Sequence, residues 1–129
     1  MASIEVINWE KRLTMTKVEI IRFQLAIHCH IQKINISSAD LDCLTTLKQK
    51  GTAELTSFCK VLTDMNIFKS SQSSRNAITR LEEKKLIVKD GQSKKRIYIN
   101  PDIKIQGEGN ILVDVKCFSP NKEIRHDTN

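Results

Sequence analysis

Two short apolar runs, Leu86-Ile87-Val88-Lys89 and Lys94-Lys95-Arg96-Ile97-Tyr98-Ile99-Asn100, flank the polar tetrapeptide Asp90-Gly91-Gln92-Ser93. Asp-Gly between two apolar stretches is among the strongest short-range signals for a β-hairpin, because glycine takes positive φ without steric cost. The spacing therefore predicts a strand, a turn at 90–93 and a returning strand. What comes before the hairpin has a different period.

Thr16-Lys17-Val18-Glu19 has the form of a capping box, in which a Thr side chain and a Glu three residues on satisfy each other's backbone donors. After it, Val18, Ile21, Leu25 and His28 share one helical face, while Ile20, Phe23, Ile27, Ile31 and Ile34 share another. A helix with two apolar faces has to be covered on both, one by the domain core and one by a partner subunit. Its many β-branched residues keep a strand open as the competing reading for part of this stretch. A second start signal at Ser37-Ser38-Ala39-Asp40 leads into Leu41, Leu44 and Leu47, and Gly51 can close that helix. Thr52 is the expected cap of the next helix, with Glu54 in its first turn and Leu55, Phe58, Cys59 and Leu62 as its buried stripe, ending near Asn66. The hydroxyl-rich run Lys69-Ser70-Ser71-Gln72-Ser73-Ser74 approaches a further helix, whose inward residues are Ala77, Ile78 and Leu81. Three helices followed by a hairpin is the order of a winged helix-turn-helix. We therefore expect an α+β chain: a winged helix-turn-helix at 37–101, with a three-helix core and a β-hairpin wing.

A chain of 129 residues holds one such core with arms. The N-terminal arm, 1–36, contains a short possible strand at Ile4–Ile7 and the two-faced helix; the C-terminal part, 102–129, contains the apolar stretch Ile111–Phe118 and a polar tail. That stretch reads as a strand able to pair with Ile4–Ile7 or with the wing sheet. With aromatic residues at only 5%, aliphatic side chains must fill the interior.

The net charge of +6 is local. From Lys69 to Arg96 the basic residues are Lys69, Arg75, Arg80, Lys84, Lys85, Lys89, Lys94, Lys95 and Arg96, and the acidic ones are Glu82, Glu83 and Asp90. Outside this span the remaining Lys and Arg equal the remaining Asp and Glu in number. Charge concentrated in this way creates a positive potential that attracts phosphates.

Other classes of function find little support. Cys29, Cys43, Cys59 and Cys117 lie far apart with no Cys-x-x-Cys spacing, and three sit among apolar residues at helical spacing, as small reduced core residues do. His28-Cys29-His30 is the one constellation that suggests a metal, but neighbours on a helix point about 100° apart and do not converge. Gly107-Glu108-Gly109 is too short for a phosphate loop, and no Ser, Cys or Lys has a recognisable base beside it, so no enzyme, metal or cofactor is expected. No apolar run approaches a membrane span, no signal segment opens the chain, and no residues suggest a small-molecule pocket. A cytoplasmic setting is expected.

The run Gln72-Ser73-Ser74-Arg75-Asn76-Ala77-Ile78-Thr79-Arg80-Leu81-Glu82-Glu83-Lys84-Lys85-Leu86-Ile87 resembles the recognition helix and following strand of MarR-type winged-helix regulators. The hairpin ending Tyr98-Ile99-Asn100-Pro101-Asp102 is similar to the winged helix of plasmid and phage replication proteins. The resemblance implies a DNA-binding role in transcription regulation or replication. The regulator pattern usually carries glycine where this chain has Lys85, so either the helix exits differently or a non-glycine residue takes a costly conformation.

The expected partner is double-stranded DNA. Ser71 and Ser73 would lie near a phosphate at the helix N-terminus, and Gln72, Arg75, Asn76, Thr79 and Arg80 would form the polar face toward the groove. Lys94, Lys95 and Arg96 would contact the backbone or the minor groove from the wing. Arg75 and Arg80 are both expected to be exposed. A homo-oligomer, with a dimer favoured, would form through the N-terminal arm. The alternative from another class is a structural or assembly protein, of a phage particle or of packaging, that uses the same fold for protein contacts.

Overall fold

Each helix opens on a polar side chain that accepts from its own free backbone donors. In the computed structural model, which describes residues 5–8, 14–92, 95–107 and 116–119, α1 (Lys17–Ile31) is capped by Thr16 and α2 (Ser38–Lys50) by Ser37. Glu54 caps α3 (Leu55–Asp64), and Ser70 caps α4 (Ser71–Glu83). The Thr16–Glu19 capping box forms as expected, and α1 is helical throughout, so its β-branched residues do not make a strand. The cap of α3 differs from expectation. Thr52 is not a cap but the first residue of β2 (Thr52–Glu54), and the capping group is the Glu54 carboxylate, which accepts from the N–H groups of Thr56 and Ser57.

Three of the helices end in one device. Lys33, Asn66 and Lys85 have φ of 58°, 59° and 62°, the left-handed region that costs a side chain about 1 kcal/mol. After each, an apolar residue bonds five positions back: Ile34 N–H to Cys29 O, Ile67 N–H to Leu62 O and Leu86 N–H to Leu81 O, at 2.8, 3.0 and 2.9 Å. Leu86 is fully buried, and Ile34 and Ile67 pack against the core. Apolar anchoring thus holds the reversal where glycine would relieve it, and of the two outcomes open at Lys85 the structure shows the strained conformation. α2 ends on Gly51, at φ 82°.

β3 (Ile87–Lys89) and β4 (Arg96–Ile99) form the expected hairpin. The returning strand starts at Arg96, so Lys95, expected within it, precedes it. Ser93 and Lys94 lie outside the described residues. Asp90 begins the connection by accepting from Gln92 N–H on its side chain and donating its own N–H to Arg96 O. β2 adds on the other side of β4, with Ala53 opposite Ile97 and Glu54 opposite Arg96, giving an antiparallel three-stranded sheet of order β2-β4-β3.

The core lies between this sheet and the helices. Leu25, Leu44, Leu47, Phe58, Leu62, Ile78, Leu81, Ile87 and Ile97 are all essentially inaccessible. Cys29, Cys43 and Cys59 are buried and free, as small interior residues. After β4 the chain returns to α1, where Gln24 bonds the backbone N–H and carbonyl of Gln106, with Ile103 buried on the way. The result is an α+β unit of four helices and one small sheet, with an order compatible with a winged helix.

Residues 15–109 make up this unit, and 1–14 with 110–129 make up a second. α1 and the 102–106 segment, which the sequence assigns to the two arms, pack with these helices and the sheet. In the second unit β1 (Glu5–Asn8) pairs antiparallel with β5 (Lys116–Ser119), with Val6 opposite Phe118, one of the two pairings the sequence allowed.

Candidate nucleic-acid interface

α4 buries Ser74, Ala77, Ile78 and Leu81. At about 100° per residue, the line opposite that buried stripe runs through Gln72, Asn76, Thr79 and Glu83. Gln72, Asn76 and Thr79 are exposed, as expected. Gln72 Nε2 donates to Asn76 Oδ1 at 3.0 Å, coupling the two carboxamides, and Thr79 Oγ1 donates to Arg75 O at 3.0 Å.

The two arginines of α4 flank this line, and protein groups hold both. Arg75 is only half-exposed and donates to Thr56 Oγ1, at the start of α3, at 2.9 Å. Arg80 lies on the other flank and pairs with Asp40 in the first turn of α2 at 3.0 Å; its side chain is 49% exposed, that of Asp40 only 5%. Of the two, Arg80 is therefore the more exposed, and its charge is matched by a buried carboxylate. Ser71 is exposed at the helix start. Ser73 is committed to the cap: its hydroxyl accepts from Ser70 N–H and donates to Ser70 O.

Lys95 and Arg96 are exposed at the turn end of the wing, while Lys94 lies outside the described residues. Arg96 reaches Thr52 Oγ1 at 3.4 Å, and Lys95 O accepts the N–H of Leu55, which ties the wing to the beginning of α3. The segment 52–56 consequently carries Arg96 on Thr52 and Arg75 on Thr56, with Glu54 between them. The two α3 N–H groups, Ser57 first, hold the Glu54 carboxyl below its usual range. Thr52 and Thr56 are the positioning residues that sequence reasoning missed. Their signal is the alternation Thr52-x-Glu54-x-Thr56, which reads as a strand edge as readily as a helix start.

Elsewhere, Lys89 pairs with Glu82 at 3.4 Å and Lys84 Nζ donates to Asn35 O. Lys69, Lys85 and Lys95 have no side-chain hydrogen bond or ion pair among the described residues. Burial pushes the Cys29, Cys43 and Cys59 thiols up, that of Cys43 to about 12, so they remain protonated. His28 and His30 flank the inward-facing Cys29 on α1, half-buried and exposed respectively, and no group of three metal-binding side chains occurs among the described residues. No helix among them is long and apolar enough to cross a membrane. Comparison with protein-family models, curated proteins and solved structures finds no match.

Proposed function

We propose that residues 15–109 are a winged helix-turn-helix that binds double-stranded DNA in transcription regulation or plasmid or phage replication. α4 lies in the major groove and the β3–β4 hairpin is the wing. The observation that carries the reading is the pairing of an exposed carboxamide and hydroxyl line on α4 with arginines on both flanks and an adjoining basic wing. Phosphate contacts from Lys95, Arg96 and the flanking arginines give affinity and register, and the outer line of α4 reaches base edges. Gel-shift titration at several salt concentrations tests this. Binding should weaken steeply with salt as counterions are displaced. Undetectable affinity at low salt, or affinity indifferent to salt, refutes it.

A specific observation favours self-association as well. On α1, Ile20, Phe23, Ile27 and Ile31 form a charge-free line; Phe23 and Ile31 are exposed, 67% in the case of Ile31. A two-fold interface sets one patch against its own copy, so an apolar line without like charges suits a second copy of this chain. Light scattering after size exclusion should give a dimer that Ile31→Glu dissociates. A monomeric wild type removes the dimer, and a closed ring would favour the assembly role over a two-fold reader of DNA.

A further inference from the structure

We infer that the DNA read by α4 is distinguished by adenine and thymine in the major groove, with Gln72, Asn76 and Thr79 as the specificity-determining residues. The inference rests on the DNA-binding reading and deepens it. Guanine presents two acceptors, N7 and O6, and is most often read by a bidentate arginine or lysine. Both arginines of α4 are turned to the flanks, Arg75 onto Thr56 Oγ1 at 2.9 Å and Arg80 onto the buried Asp40 at 3.0 Å. No cation occupies the outermost line of the helix.

That line carries other chemistry. Adenine presents an acceptor at N7 beside a donor at N6, and a carboxamide supplies the matching donor and acceptor. The bond from Gln72 Nε2 to Asn76 Oδ1 fixes the two amides relative to one another. It leaves the Asn76 Nδ2 hydrogens, a second Oδ1 lone pair and Gln72 Oε1 available to a base edge. One turn on, Thr79 directs its hydroxyl hydrogen back to Arg75 O. Its methyl group is then the natural partner for the thymine C5-methyl, an apolar contact available only at A·T pairs. Glu83 continues the line a further turn away, at the end of α4 opposite to the one such helices place against the bases. The arginines hold the helix in register over the backbone.

Three duplexes of equal length separate the possibilities when titrated with the full chain by fluorescence anisotropy at fixed salt. One contains only A·T pairs in varied order, one only G·C pairs, and one only inosine–cytosine pairs, which join the major groove of G·C to the minor groove of A·T. The A·T duplex should bind about tenfold tighter than either of the others, the discrimination of one well-made bidentate contact. Asn76→Ala should bring the three affinities together, whereas Lys95→Ala should weaken all three alike. Equal affinity of the wild type for all three overturns this inference and leaves DNA binding standing. Inosine–cytosine bound as tightly as A·T also overturns it, because the preference then lies in the minor groove. Failure to bind any of the three overturns the DNA-binding reading itself.

Discussion

At Asp40 the carboxylate is nearly inaccessible, and Arg80 is its counter-ion. Removing the guanidinium leaves a charge in the interior with no partner, so Arg80→Ala should lower unfolding free energy by about 2 kcal/mol in urea titrations. Arg80→Glu should cost more, by setting like charges together, and neither variant isolates DNA contact from folding. Charge reversal at Lys95 is the cleaner probe of binding. Lys85 makes the opposite prediction. Its φ of 62° strains any side chain, so Lys85→Gly should stabilise the fold by about 0.5–1 kcal/mol, measured as a rise in the urea midpoint at unchanged slope. A loss of stability would mean that the Lys85 stem contributes more packing than its exposure suggests. The sequence marked Lys85 as either a strained residue or the site of a different helix exit, and only the backbone angle decides between them. The ion pair was not legible there, since nothing local relates Asp40 to Arg80.

Among the elements, α1, α2 and α4 were legible because their caps and apolar stripes lie within one or two turns of each other. β2 was not. Three residues carry no measurable period, and what makes Thr52–Glu54 a strand is its partner Arg96–Ile99, more than forty residues away. Once that pairing moves Thr52 into the sheet, the cap of α3 passes to Glu54 and becomes titratable. The folded-state carboxyl lies below its ordinary value of 4.5, so its ionised form stabilises the fold above about pH 4.5, and that contribution is lost as pH falls through the folded value. Glu54→Gln should therefore melt at a lower temperature than wild type at pH 7, with the gap closing on acidification. A gap that stays constant from pH 7 to pH 3 would show that the charge on the cap is irrelevant. The polar face of α4 was visible in the sequence, but that its two arginines are held at the flanks depended on Thr56 and Asp40, on other helices.

On the scale of the whole molecule, the 15–109 unit is one continuous length of chain set between two strands that pair with each other. It contains its own core, so a fragment of those residues should unfold in a single cooperative transition with the DNA affinity of the full chain. A broad, non-cooperative melt would show that the paired ends are required for its folding. The pairing of β1 with β5 has a consequence for biosynthesis. Roughly a hundred residues separate the two strands, so at about 5–20 residues per second on the ribosome β1 waits about 5–20 s for its partner. Through that interval its edge is open to strands of other nascent chains. Slower translation across the intervening unit should lengthen the exposure and increase aggregation in the cell.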